Sequence, residues 1–104
     1  KRWIGLTARP RGRLVVDAGA RKALETGANS LLAIGVVDVT GDFEKGDVVA
    51  VVDLEGREFA RGLSNFGADD ARVILGRHTL EARALLGPSN YDEIVHRDNL
   101  VLIV

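Results

Sequence analysis

The residues best suited to chemistry stand near the end of the chain, where His96, Arg97, Asp98 and Asn99 precede the apolar run 100–104. His-Arg-Asp opens the phosphoryl-transfer loop H-R-D-x-x-x-x-N. In that loop the Asp takes the proton of the attacking hydroxyl and an Asn five residues later binds a metal ion. Here Asn99 follows Asp98 directly, and the fifth residue after Asp98 is Ile103, which cannot ligate a metal. The sequence also has no Gly-rich phosphate loop and no lysine in a V-A-I-K-like stretch. Asp98 and Asn99 read instead as turn residues that introduce a final strand.

Other chemistries fare no better. His78 and His96 are the two histidines and there is no cysteine, whereas a structural or catalytic metal needs three or four ligands at paired spacing. Both histidines read as surface residues or as residues at a helix start. Ser30, Ser64 and Ser89 lack the G-x-S-x-G setting of an activated nucleophile. The stretch "GDFEKGD" has two glycines but no following Lys-Ser or Lys-Thr, so it is not a P-loop. Asp69 and Asp70 could hold a cation, but two carboxylates in the first turn of a helix are explained by its positive dipole end. The sequence therefore assigns no catalytic residue, no metal ligand and no cofactor-binding residue, and function must come from a binding surface or a parent enzyme.

Charge supplies the candidate surface. The net charge is −1, but it is unevenly spread. Lys1, Arg2, Arg9, Arg11, Arg13, Arg21 and Lys22 stand against Asp17 alone in residues 1–22, a local charge of +6, and the remainder carries −7. Such a block marks either a surface for nucleic acid or an acidic partner, or a linker arm that stays solvated or docks on the acidic remainder. The second reading is preferred, because a nearly neutral domain has little charge with which to grip RNA.

The elements that position these groups follow from pattern. A chain of 104 residues makes one domain and buries roughly 65% of its unfolded surface. No apolar run approaches the roughly 20 residues of a membrane span, and no secretory signal is visible; with no cysteine, a cytoplasmic location is expected. A translated chain starts with Met and this one contains none, so a fragment or trimmed product is expected. "LVVDAGARKALETGAN" predicts a strand at 14–16 and a helix capped by Asp17 and stopped by a left-handed Gly27, with Ala20, Ala23 and Leu24 at helical spacing. The Val-rich, Gly-punctuated middle predicts strands near 36–40, 48–53 and 57–63. Val48–Val52 has no polar alternation and should be buried on both faces or lie in the wall of a closed barrel. Phe43, between two turn clusters, reads as a plug that holds its loop down. "GADDARVILG" and "HTLEARALLG" predict two short helices, the second capped by Thr79, ended by Gly76 and Gly87, and "NLVLIV" a last strand. The order β-α-β-β-β-α-α-β with an antiparallel centre predicts a small mixed barrel with helices outside.

The block "SLLAIGVVDVTGDFEKGDVVAVVDLEGREFARGLSNF" resembles the PUA domain, a small pseudo-barrel found in RNA-modifying enzymes. The resemblance rests on the Leu-Leu pair, Gly35, Gly41-Asp42-Phe43, Gly46-Asp47-Val48-Val49 and Ala60-Arg61-Gly62. It implies a mixed α/β fold of mainly antiparallel strands with peripheral short helices. "KRWI", "LVVDAGARKAL" and "VHRDNLVL" further resemble the C-terminal domain of the bacterial glutamate 5-kinase family. This implies that residues 1–12 are a linker arm from an absent amino-acid-kinase domain and that 13–104 form the PUA-like domain. It also implies that ATP and Mg²⁺ belong to that absent domain, that none is bound here, and that any homo-oligomer forms through the parent. One departure is Phe66-Gly67-Ala68, where an aromatic followed by serines is common; it predicts a weaker helix cap. Three readings stay open: an accessory and regulatory domain of the kinase, an RNA-binding module, or a structural domain fixing subunit packing. For RNA, the helix with Arg21 and Lys22 and the strand with Arg61 are the candidate surface, joined by Arg9, Arg11 and Arg13, with weak and salt-dependent affinity.

Overall fold

Val48–Val52 sits where its composition demands, in the middle of a five-stranded sheet, with Val49, Ala50, Val51 and Val52 all buried. The computed structural model describes residues 9–27, 29–87 and 91–103. Its elements are β1 (Gly12–Val16), α1 (Ala18–Thr26), β2 (Leu31–Leu32), β3 (Val36–Gly41), β4 (Val48–Val52), β5 (Glu58–Leu63), α2 (Ala68–Ile74), α3 (Thr79–Leu86), β6 (Glu93–Val95) and β7 (Leu100–Leu102). The large sheet has the order β3-β1-β4-β5-β7, and β2 pairs with β6 in a second sheet. All pairings are antiparallel except β1 with β4, which runs parallel with Leu14 opposite Val51. That pair is the one departure from the antiparallel centre expected from the sequence, which β4 keeps with β5. It arises because α1, β2 and β3 separate the two strands and let the chain return in the same direction.

The sheets share one core. Leu14 and Val16 of β1, Val36 and Val39 of β3, Val49 and Val51 of β4, Leu31 of β2 and Ile94 and Val95 of β6 belong to a single buried cluster. β6 is tied to the turn after β5, whose Asn65 donates its backbone N–H to the Ile94 carbonyl at 2.8 Å.

The local signals act largely as anticipated. The Asp17 carboxylate caps α1 by accepting the Ala20 N–H at 2.7 Å. Within α1, Leu24 is buried but Ala23 is exposed. Gly27 ends α1 in extended rather than left-handed backbone (φ −162°). The terminal carbonyls are met by side chains instead, Thr26 Oγ1 donating to Lys22 and Asn29 Nδ2 donating to Ala23, each at 2.8 Å. His78, not Thr79, occupies the cap position of α3, and its side chain makes no capping bond. α2 starts at Gly67 without a side-chain cap; there the Phe43 carbonyl accepts the Ala68 N–H at 2.9 Å. β4 ends at Val52 because Asp53 turns its carboxylate onto the following loop, accepting the N–H groups of Glu55 and Arg57.

Candidate functional site

The His96–Asn99 segment is spent on changing chain direction. Arg97–Asn99 forms one 3₁₀ turn leading into β7. His96 Nδ1 accepts the Asp98 N–H at 3.1 Å, the Asn99 N–H donates to the His96 carbonyl at 2.8 Å, and the Arg97 N–H donates to Ser30 Oγ at 2.8 Å. The imidazole acts as a cap, and the motif positions Leu100 in the core. Among the described residues no three His, Asp or Glu side chains are grouped to hold a metal ion.

The arginines divide into two kinds. Arg21 of α1 is a latch. Its guanidinium binds the Asp53 carboxylate, reaches Glu25 at 3.2 Å, and lies 4.8 Å from the centre of the Phe59 ring. Asp53 is 6% exposed, and the N–H of Arg57, then that of Glu55 and the charge of Arg21, hold its carboxyl below the usual carboxylate range. A depressed folded-state pKa contributes stability that is fully present above the unfolded value near 4 and lost as pH falls through the folded one. Asp53→Asn keeps an oxygen for the turn and removes the titration. We expect its acid-unfolding profile below about pH 4 to be flatter than that of the parent chain, read by circular dichroism; superimposable profiles would place the acid sensitivity elsewhere. Lys22, the next residue, is exposed.

Arg61 of β5 is likewise engaged. It pairs with Glu58, and its side chain is 16% exposed. In a regular strand, residues three apart face opposite sides. Here the register shifts, with Ala50 opposite Arg61 and Val52 opposite Glu58, so three residues of β5 span two of β4. The resulting bulge brings carboxylate and guanidinium to one face.

Arg9, Arg11 and Arg13 differ. All three are exposed, and none forms an ion pair among the described residues. They line one surface depression of about 420 Å³, with Thr40, Ala50 and Glu58 among its other walls. Two of them are held on the sheet: the Arg11 N–H, just before β1, donates to the Val48 carbonyl at 2.8 Å, and Arg13 of β1 lies between Thr40 and Ala50 in register. Arg61 is opposite Ala50 from the other side, so Arg13 and Arg61 flank that buried methyl on one row of the sheet. The structure thus gathers Arg9, Arg11 and Arg13, sets Arg61 beside them with its own carboxylate, and commits Arg21 elsewhere. Thr40 and Glu58 were not legible as partners, because the bulge and the β1–β3 register that place them leave no mark in the local sequence.

The PUA domain model matches residues 12–86, which hold β1 to α3 and so the capped α1 and the parallel β1–β4 pair. The chain belongs to the PUA domain family. It is 47% identical over 99% of its length to a glutamate 5-kinase of Cupriavidus pinatubonensis, and 48% identical over 99% to that of Carboxydothermus hydrogenoformans. It spans 28% of the length of each of these two relatives. Among solved structures it is similar to a PUA domain of Aeropyrum pernix, crystallised as a tartrate complex. That match has a TM-score of 0.58 and 30% identity, and it covers 84% of this chain and 43% of the other.

Proposed function

We propose that this is the non-catalytic accessory domain of a glutamate 5-kinase, a PUA unit whose sheet begins with β1 at Gly12, one residue before the expected boundary at 13, and which is joined to an amino-acid-kinase domain. The observation that carries the reading is identity of 47–48% across 99% of the chain to enzymes of which it spans 28%. The tail supports the same view, since His96 and Asp98 are hydrogen-bonded within a turn rather than poised around a reacting atom. In this reading ATP-dependent phosphorylation of glutamate, the first step of proline biosynthesis, occurs in the partner domain in the cytoplasm. ATP and Mg²⁺ are handled there, this domain tunes the enzyme's activity, and any homo-oligomer forms through the parent. The test is glutamate-dependent ADP formation by the 104-residue chain and by the parent enzyme with this domain removed.

The RNA-binding alternative has a narrower base than the charge count suggests. Arg21 and Arg61 are already engaged by carboxylates, which removes much of the free charge that α1 and β5 would offer a phosphate backbone. What favours anion binding is the arginine depression.

A further inference from the structure

We propose that α1 is a latched lid: it opens as a unit while the sheet stays closed, widening the apolar groove beside it, and the Arg21–Asp53 pair sets how often it does so. α1 is lightly docked. Leu24 alone of its nine residues is buried, and Lys22, Ala23, Glu25 and Thr26 are exposed. A helix of this length does not persist once undocked, so losing its contacts melts it. The sheet has other support. β4 pairs with β1 on one side and β5 on the other, and those ladders stand without α1. Segments with few buried apolar contacts open locally while the rest of a fold stays closed.

Beside Leu24, contacts on two sides dock the helix. Its start is tied to the turn before β3, where the Asp17 N–H donates to the Gly35 carbonyl at 3.0 Å. Ala20 packs on Gly35 so closely that a methyl added there would lie 2.6 Å from Ala20 Cβ. The latch acts on the other side, between α1 and the turn after β4. Its halves are unequal. Asp53 is fixed whether or not α1 is in place, because its Oδ1 accepts the N–H groups of Glu55 and Arg57, each at 2.9 Å. Its Oδ2 is left for Arg21. Arg21 is the moving half, resting over the Phe59 ring. Glu25 also reaches Arg21, but it rides on the same helix and ties it to nothing else. Between α1 and β2 lies a groove of about 280 Å³, with Ala20, Ala23 and Leu24 on one side and Leu31, Leu32 and Ile34 on the other. One wall is therefore the lid itself, and its opening uncovers Leu24 and Leu31, both buried when it is shut. Nothing in this depends on the parent enzyme.

The experiment is native-state amide hydrogen exchange of the 104-residue chain, read residue by residue at fixed pH and salt. In the unaltered chain the α1 amides from Arg21 to Glu25 should be at least about tenfold less protected than those of β4. Arg21→Ala should lower α1 protection by about tenfold more, although Ala is the better helix former. Gly35→Ala drives a wedge under Ala20 and should lower it by a similar factor with the latch intact. Glu25→Ala removes only the pair within the helix and should change α1 protection by less than about threefold. Val49 stands opposite Gly12, at the end of β1 away from α1, and stays packed when α1 opens. Val49→Ala should therefore lower β4 protection at least about fivefold and change α1 protection less than about twofold. The proposal is overturned if α1 and β4 are equally protected in the unaltered chain, if Val49→Ala lowers both alike, or if Arg21→Ala or Gly35→Ala leaves α1 protection unchanged. An effect of Glu25→Ala as large as that of Arg21→Ala would also overturn it, by placing the hold inside the helix.

Discussion

Phe43→Ala is expected to lower the stability of the domain by about 3–5 kcal/mol, the cost of emptying a fully packed aromatic site. The residue lies in the loop between β3 and β4, between Asp42 and Glu44, and yet is 2% exposed and part of the central cluster. Its ring seals the end of β1: a methyl added at Gly12 would lie 2.5 Å from Phe43 Cδ2. Its carbonyl also receives the first N–H of α2. Losing the ring opens a cavity where strand, loop and helix meet. The backbone around it is pinned, Glu44 N–H donating to Asp47 Oδ2 at 2.8 Å and Gly46 N–H to the Ser64 carbonyl at 2.8 Å, so the site cannot readily collapse. For a domain of this size the loss corresponds to a fall in melting temperature on the order of 15 °C or more. Phe43→Leu should retain most of the stability, because an apolar group of nearly the same bulk fills the site. An unchanged melting temperature for Phe43→Ala would mean that the ring does not anchor the loop.

Gly41→Ala carries the second large effect. Gly41 has φ of +94°, and a Cβ there would sit 2.6 Å from Gly12 Cα and 2.8 Å from the Arg11 carbonyl oxygen. Both obstacles are backbone, and Gly12 is its register partner across the β1–β3 ladder, so neither moves without opening the sheet. Strain at positive φ and overpacking each cost about 1–3 kcal/mol, giving an expected loss of about 2–6 kcal/mol. Gly46→Ala is the control. It has nearly the same φ, +92°, and nothing within 4 Å of the added methyl, so strain alone should act. Urea unfolding of the two variants should show Gly41→Ala the more damaging; equal losses would remove the steric argument.

The parts of the fold carried by strong local patterns were legible in the chain. The unbroken apolar run Val48–Val52 announced a strand buried on both faces or set in a barrel wall, Asp17 announced the start of α1, and Phe43 between turn residues announced a plug. The PUA resemblance, read from Gly41-Asp42-Phe43 and Gly46-Asp47-Val48-Val49, is matched by the family model. What escaped was set by long-range pairing. β2 and β6 have two and three residues, too few for an alternation to register, and they exist because each supplies the other's hydrogen bonds. The parallel β1–β4 pair depends on how three intervening elements route the chain. At the candidate surface, a count of basic residues could not distinguish Arg21, latched to Asp53 at the far end of β4, from Arg13, which has no carboxylate partner among the described residues. That difference lies in where the carboxylates fall after folding.

The reading of this chain as a non-catalytic accessory domain is tested most directly by ADP release. The 104-residue chain, supplied with ATP, Mg²⁺ and glutamate, should release no ADP that depends on glutamate. The parent glutamate 5-kinase lacking this domain should keep glutamate-dependent turnover with an altered rate or altered inhibition by proline. Glutamate-dependent ADP release by the 104-residue chain, abolished by Asp98→Ala, would contradict the account.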